Sequence, residues 1–543
     1  MLISNLLAAA PQVRIIATSR HVRGVEGEQI VPVPTLRHES EADEWTEAVA
    51  LFQERAAASD PNFEVTADNR AVISAICQRL EGVPLALKLA AARIRHFTPN
   101  EVLDHLDDMA LFTSTEHTRP ARHRALEAAI EWSYGLCTPA GRRLWAELSV
   151  FSGGFSLDAV EAVCHADAHE PPRAALSGLV DKSIVTRLPG ADGQRARCRM
   201  LETVRQFAAD RLASLPTERA VRIRHRDHFR KLADRGDTDY CRVSEGAWFA
   251  EVGQEHANLR AALEFCLSEP EQSSTAALDM ASSLRPYWEH YGLMHEGYRR
   301  LTAALEADST PTASRARALA NACELAVLMA EIASAAELLD EYDATATETT
   351  SDDSRSSALL ASALVTFSTG SLEKALDLAE DAAELAFDND DVGAGTEALS
   401  AAALIAFLSN DERAEELAYR HLATADALGA QIEKAVGLWI VGLNHWPQDD
   451  HARVMDAMRE GIMLFQQFRQ PGSTALCIEG LAWVAASTGD NYRAARLVGA
   501  AKTIWKYSQM HLPERMTAQI GQAVDRRLRE HLGEDTYAIE IAT

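Results

Sequence analysis

Four arginines, Arg187, Arg195, Arg197 and Arg199, flank the segment Pro189-Gly190-Ala191-Asp192-Gly193. That segment is a turn signal between two β-type runs, Ser183–Leu188 and Arg197–Leu201. The arginines would then sit on the wing of a hairpin, where guanidinium groups can straddle a phosphate backbone. The helix predicted ahead of it, Arg173–Lys182, argues the other way. Arg173 and Lys182 stand at its ends with Ala174, Ala175, Leu176, Leu179 and Val180 between, and its other polar side chains, Ser177 and Asp181, are short. Base edges are read mainly by long polar side chains. A wing packed against neighbouring elements is the preferred reading, and DNA contact through these arginines the alternative.

His225 and His228 in RHRDHF are three apart on a predicted helix and could share a metal ion with Asp227 beside them. No Glu or further His lies at ligand spacing, so an exposed polar helix face is preferred and no metal site is expected. His165 and His169, which flank a helix end, read the same way. No H-E-x-x-H and no G-x-S-x-G occurs, and no catalytic residues are expected. A phosphate cradle needs G-x-x-x-x-G-K-[ST], yet none of the seven lysines (Lys88, Lys182, Lys231, Lys374, Lys434, Lys502, Lys506) follows a glycine. The eight cysteines are scattered without a C-x-x-C pair, so neither a zinc site nor a disulfide framework is signalled, and a reducing, cytoplasmic setting is expected. Trp132 and Tyr134 in EWSY read as buried packing on an amphipathic helix.

The elements that must carry these residues are mostly helical. The 543 residues are 47% hydrophobic but only 6% aromatic, with alanine dominant, which favours packed helices over a β-rich core. No apolar run reaches the ~20 residues of a bilayer span, so no membrane is expected as a partner. Met1–Ala10 lacks a basic start and runs directly into a β-branched segment, so it does not read as a secretion signal. That segment, Val13–Thr18, predicts a buried strand, and a lone strand so near Met1 suggests a chain that starts in mid-domain. Ser40 to Asp43 and Thr98 to Glu101 read as capping boxes. Helices are expected at Thr66–Leu80 and Pro84–Arg95, then at Leu126–Leu136, Pro139–Leu148, Leu157–Cys164 and Arg173–Val180 ahead of the hairpin, and at Glu202–Leu212 after it: a winged-helix order.

From about residue 215 the pattern is helical throughout, apart from an acidic Ser/Thr-rich loop expected at Asp343–Ser357. Breakers at Gly370, Asn410, Gln448 and Gly489 each precede an amphipathic helix, such as the stripe Leu372, Ala375, Leu376, Ala379, Ala383, Ala386 or the stripe Ala414, Leu417, Ala418, His421, Leu422, Ala425. A period of about 40 residues signifies an α-solenoid whose stacking leaves a continuous groove suited to a protein or peptide. Residues 1–240 are nearly neutral, with 30 Lys+Arg against 33 Asp+Glu, so the formal charge of −27 lies almost wholly in the rest. That half should repel nucleic acid.

In order, the segments RIIATSR, GVPLALKLAA, LEAAIEWSYGL, LSVFSGGFSLDAVEAVC, LVDKSIV, RMLETVRQFAADRL, HANLRAALEF and GLAWVAASTGDNYRAARLVGAA resemble the STAND class of signal-transduction ATPases. The likeness is to the NB-ARC-like regulators found with LuxR-type or antibiotic-regulatory-protein-type DNA-binding domains. It implies a mainly α chain. Residues 1–37 would be the remnant of a P-loop NTPase domain, 38–120 a small helical domain, 121–214 a winged helix and 215–543 a superhelix of tetratricopeptide-like hairpins. Arg20 matches the sensor arginine near the γ-phosphate, a task its planar donors suit. Gly82 and Pro84 match the element beside adenine. Leu201 stands where a histidine would contact the β-phosphate, which departs from the family pattern.

Complete homologues bind ATP or ADP with Mg²⁺. This chain, lacking the cradle, is expected to hold no cofactor and not to hydrolyse ATP. The family layout puts the acidic Mg²⁺-holding strand upstream of Met1 and a helix-turn-helix output domain beyond Thr543. The expected function is regulatory binding, with a protein or peptide partner on the repeats, DNA reached through a separate output domain, and an oligomer left open. An NTPase with an unrecognised phosphate site, a DNA-binding winged helix and a constitutive scaffold are the alternatives.

Overall fold

The computed structural model describes residues 35–37, 46–66, 68–112, 121–164, 171–188, 196–345, 352–468, 470–506 and 521–542. The predicted strand Val13–Thr18, the capping box at Ser40, the turn at Pro189 and the candidates Arg20 and Arg195 lie outside them. The described chain is mainly helical. It divides into two compact units, Met1–Ala146 with Ala166–Ala208, and Glu147–His165 with Ala209–Thr543.

In the first unit, helices α1 (Glu47–Ser59), α2 (Arg70–Arg79), α3 (Pro84–Ala91), α4 (Pro99–Phe112), α5 (Ala121–Gly135) and α6 (Pro139–Glu147) come first. Thr46 caps α1 by accepting from the Val49 amide at 3.3 Å. The predicted capping box at Thr98 forms in full: Thr98 donates its amide to Glu101 Oε2 at 2.7 Å, and the Glu101 amide returns to Thr98 Oγ1 at 3.4 Å. Trp132 is buried against Phe97 and His105, with the Arg93 guanidinium 5.9 Å from its ring centre. Helix α8 (Pro172–Asp181), an antiparallel pair β2 (Val185–Arg187) and β3 (Arg197–Met200), and most of α9 (Glu202–Ala213) complete this unit.

The second unit opens with β1 (Gly154–Ser156) and α7 (Leu157–Val163), held to the long helices α10 (Glu218–Asp234) and α12 (Glu245–Ser268). Asn258 accepts from the Ser152 amide at 2.7 Å and donates to the Gly154 carbonyl at 2.9 Å, while Arg224 Nε donates to the Val163 carbonyl at 2.6 Å. Between α10 and α12 lies the single turn α11 (Gly236–Asp239). Then follow α13 (Pro270–Ser283), α14 (Arg285–His290), α15 (Met294–Ala307), α16 (Ala313–Leu328), α17 (Ile332–Thr345), α18 (Asp352–Thr369), α19 (Leu372–Asp388), α20 (Val392–Ser409), α21 (Ala414–Leu428), α22 (Gln431–His445), α23 (His451–Gln467), α24 (Pro471–Ser487), α25 (Asn491–Trp505), α26 (Gln522–Leu532) and α27 (Glu534–Ala542).

From α16 to α25 each helix packs antiparallel to the next, and the turns obey one rule. Residues with left-handed backbone recur at Ala330, Gly370, Asn410, Asp449 and Gly489, every 39 or 40 residues, with Asp390 and Gly429 halfway between. At most of them the following amide reaches back to close the helix: Glu331 to Ala326, Asp411 to Ala406, Asp490 to Ala485. The next helix is then capped by an aspartate, as Asp391 accepts from Ala394 and Asp490 from Arg493. Both predicted stripes are buried at their alanines, which let the helices approach closely. Ala330 is an L-residue held at φ +62°, so Ala330→Gly should stabilise the fold by about 0.5–1 kcal/mol. A thermal-melt midpoint that falls instead would refute that account of the turn.

Three expectations are corrected. The breaker predicted at Gln448 is a short 3-10 turn, Trp446–Gln448, and the left-handed residue is Asp449. The loop predicted at Asp343–Ser357 is largely helix, because α17 runs to Thr345, α18 begins at Asp352, and Tyr342 donates across to the Ser354 carbonyl at 3.1 Å. His225 is not on an exposed polar face. It is 3% exposed between Phe151 and Phe229, and burial pushes its imidazole down to about 3. Helix α20 alone among the described helices is long and apolar enough to cross a membrane; half of it is buried inside the protein and it carries Glu397 into an ion pair there.

Candidate functional site

The strongest concentration of polar chemistry lies inside the repeat unit, around Arg285. Pro286 fits the first turn of α14 and sets Arg285 at its start, with Glu289 one turn on. The guanidinium donates to Glu289 at 2.7 Å and to Glu397 of α20 at 2.5 Å, and its Nε lies 3.4 Å from Glu324 of α16. Its side chain is only 11% exposed. A planar fork of donors can meet several carboxylates at once, which an ammonium group cannot do in one plane.

A second set of bonds adjoins the first. Glu433 of α22 accepts from Tyr240 Oη at 3.0 Å and from His421 Nε2 at 3.0 Å. The Tyr240 oxygen also lies 2.8 Å from His290 Nε2. Since the single Tyr240 proton goes to the carboxylate, His290 must donate to the tyrosine oxygen. Glu245, at the start of α12, accepts from the Ile432 amide at 2.9 Å and so caps α22 from a distant helix.

Burial raises the Glu324 carboxyl to about 8 despite the Arg285 charge, and raises Glu289 and Glu397 in the same direction. For Glu433 burial also works upward, but the His421 hydrogen bond and nearby imidazoles hold it below its ordinary value. Burial opposes the charge on Arg285, yet Glu397, Glu324 and Glu289 keep its affinity for the proton well above the usual. Burial presses His290 down to about 4. Three carboxyl groups thus face one permanent cation, and a fourth, Glu433, lines the same cavity.

These groups form the polar end of a cavity of about 250 Å³. Its remaining wall is mostly apolar, with Leu364, Phe367, Leu404, Trp439 and Phe465 prominent. Trp439 is 5% exposed and its indole N–H has no hydrogen-bond partner.

The expected continuous groove is interrupted here. Tyr240 and Glu245 reach Glu433 and Ile432, and Phe249 packs edge-on against Phe468. That stretch of repeat surface is covered by the chain's own residues.

Gly82, Pro84, Leu201, Arg187, Arg197 and Arg199, singled out from the sequence, lie in the first unit. Gly82 has φ +61° and closes α2 by donating to the Cys77 carbonyl at 3.1 Å, while its own carbonyl accepts from the Leu36 amide at 3.0 Å. Pro84 begins α3 and is exposed. Leu201 is 37% exposed between β3 and α9. Gly82 and Pro84 are thereby one helix-to-helix turn, and Leu201 follows the strand paired with β2. Arg187 and Arg199 are exposed and Arg197 is half-buried on that pair. Lys88 of α3 reaches Thr186 of β2 at 3.2 Å, and Arg95 lies 3.9 Å from Asp181 of α8, so the wing and its preceding helix pack against the small helices. The exposed side of α8 presents Arg173, Ala174, Ser177 and Asp181. Among the described residues no group of three His, Cys, Asp or Glu side chains could hold a metal ion.

The Arg285 cluster was not foreseen from the sequence, although a trace of it is visible. Glu397 is the one charged residue within Val392–Ser409, and Glu324 sits in the apolar end of α16. A carboxylate alone in such a helix needs a buried partner.

A family model described as a winged helix-turn-helix domain matches residues 138–213. A protein of Mycobacterium tuberculosis strain H37Rv described as an HTH-type transcriptional regulator is 38% identical over 342 residues, which is 61% of this chain and 37% of that one. An uncharacterised protein of the same strain is 34% identical over 236 residues, 42% of this chain and 58% of that one. The chain therefore spans little over a third of the length of the first relative and under two thirds of the second. Among solved structures, a STAND protein with a tetratricopeptide repeat sensor from Pyrococcus horikoshii aligns over 91% of this chain and 74% of its own, with a TM-score of 0.44 and 13% identity. In sequence, then, the chain is similar over residues 138–213 to a winged helix-turn-helix domain, and over a longer span to mycobacterial proteins that include an HTH-type regulator.

Proposed function

We propose that the chain is a regulatory protein of the STAND type acting in transcription, with the helical repeats as its sensing part and the winged-helix segment as the coupling element. The observation that carries this reading is the order of parts: a segment similar to a winged helix-turn-helix domain at 138–213, followed by a helical repeat array that encloses a charged cavity. The similarity to an HTH-type transcriptional regulator supports it. A ligand or partner on the repeats would act by preferring one arrangement of the chain over another.

The same reading makes the chain a binder and not an ATPase. No Gly-Lys-[Ser/Thr] segment occurs in it to cradle phosphates, whatever Arg20, Gly82, Pro84 and Leu201 contribute to a purine pocket. The purified chain should release no phosphate from ATP above the buffer rate, measured alongside a calorimetric titration with ATP and ADP. Steady turnover near 1 s⁻¹, within the ordinary enzyme range of about 1–10³ s⁻¹, would sink this proposal.

The exposed Arg187 and Arg199 favour one second reading, direct DNA contact. A gel shift that weakens steeply between about 50 and 200 mM salt and disappears in Arg197→Ala/Arg199→Ala would establish it. Because Lys88 and Arg95 already engage this face, no such shift is expected.

A further inference from the structure

We infer that the cavity beside Arg285 is a binding site for a small amphipathic organic cation, an ammonium or guanidinium group on a short apolar body. The inference deepens the reading of the repeats as the sensing part by naming the chemistry sensed.

Three observations converge on it. Glu289, Glu324 and Glu397 each meet Arg285 through one oxygen, and among the described residues the other oxygen of each accepts no hydrogen bond. Those free acceptors call for donors, and a cationic donor would draw off the protons that burial makes these carboxyl groups hold, so that charge and hydrogen bond form together. The wall opposite is apolar, so the head group must carry a hydrocarbon or aromatic body. Trp439, on that wall, offers an aromatic ring of the kind that attracts cations. At about 250 Å³ the cavity falls just below the ~300–1,000 Å³ usual for ligand pockets. It takes a small molecule or one side chain, not a helix.

A second cation beside Arg285 does not repeat its role. Arg285 joins α14, α16 and α20 across the array and leaves the carboxylates half-satisfied, so an added ammonium group completes a network that the protein's own residues leave open.

The test uses the whole chain at pH 7 with three probes of one shape: hexylammonium, hexanol and hexanoate. Calorimetry and thermal melts should show saturable binding and stabilisation by hexylammonium, with hexanol and hexanoate at least tenfold weaker. Glu324→Gln and Glu397→Gln should each weaken hexylammonium tenfold or more. Ala401→Leu, which fills the cavity without touching a charge, should abolish binding while the melt of the free protein stays close to the parent's. Nα-acetyl-lysine methylamide separates the sources of such a group. Binding at least as tight as hexylammonium assigns the site to a basic side chain of a partner, and weaker binding assigns it to a free amine. Equal binding of hexanol, or no saturable binding of either cation at millimolar concentration, overturns the inference. Saturable binding in a strain whose transcript levels do not respond to loss of the protein would instead fail the proposed function and leave the site standing.

Discussion

Replacing Arg285 with methionine should lower folding stability by about 3–5 kcal/mol at pH 8, the cost of leaving buried charge without its partner. The side chain joins Glu289, Glu324 and Glu397 from three helices, and no other arginine or lysine contacts these carboxyl groups among the described residues. Methionine fills most of the volume, so the loss should be mainly electrostatic. Its mark is a dependence on pH. A carboxyl group that holds its proton more tightly in the folded chain than in the unfolded one weakens the fold as pH rises from the ordinary 4.5 through the folded value. Glu324 already titrates at about 8, with Glu289 and Glu397 raised as well, and loss of the guanidinium drives all three further up. The deficit of the variant should therefore be greatest at pH 8 and shrink toward pH 5.5.

Of the other groups in the network, His290 alone feels the Arg285 charge. Glu245, raised to about 7, acts in the same sense as Glu324, and Glu433, held low, acts in the opposite sense. His290, pressed down to about 4, withdraws stability only as pH falls below the ordinary 6.5. Glu245 and Glu433 are alike in parent and variant, and Tyr240 and His421 keep their bonds to Glu433, whereas loss of the Arg285 charge lets His290 rise and so also narrows the deficit below pH 6.5. Urea unfolding at pH 5.5, 7 and 8 measures the difference. A deficit that stays constant with pH would mean that Arg285 matters for packing alone. Arg285→Lys, which keeps the charge and loses the fork, should fall between the two.

The second large effect is expected at Trp248→Ala, again about 3–5 kcal/mol. Trp248 is fully buried, and its indole N–H donates to the Leu232 carbonyl near the end of α10 at 3.0 Å. Its ring lies so close to Gly236 that a Cβ there would fall 2.8 Å from it and 2.3 Å from the Ser283 carbonyl oxygen. The indole thus fixes the sharp corner α10–α11–α12, which delivers Tyr240 and Glu245 to α22. Trp248→Phe keeps much of the volume and strands one carbonyl, and about 1–2 kcal/mol is expected. Gly236→Ala, which must displace backbone, should cost about 1–3 kcal/mol. Thermal or urea unfolding ranks the three. If Trp248→Phe were as damaging as Trp248→Ala, the hydrogen bond and not the packing would be the anchor. Proteolysis of the folded variants should appear first near residues 236–245.

Legibility differed by the range of the interaction. The helix signals at Thr98 and Pro84, and the turns at Gly370, Asn410 and Gly489, depend on residues within about one turn of each other, and they appear where the spacing placed them. Gln448 missed by one residue because a proline at 447 favours a tight turn there, and Asp449 takes the left-handed position. Much of the polar stretch 343–357 is helical against its composition, because Ser and Thr lower helix propensity only slightly and the packing of Tyr342 and Ser354 outweighs that. His225 is buried for a related reason: RHRDHF is polar by composition, but the burying partners Phe151 and Asn258 come from far along the chain.

By itself the amino-acid order determined the helical period, the 40-residue repeat, the capped turns, the uneven distribution of charge and the lack of a lysine in a phosphate cradle, because each of these is either composition or a short-range preference of the backbone. Tertiary structure alone decided that Glu289, Glu324, Glu397 and Glu433 share one interior with Arg285, that Tyr240 crosses to α22, and that a cavity remains beside them. A carboxylate in an alanine-rich helix has the same local energy whether it meets water or a guanidinium; which one it meets depends on how helices more than thirty residues apart in the chain stack against each other.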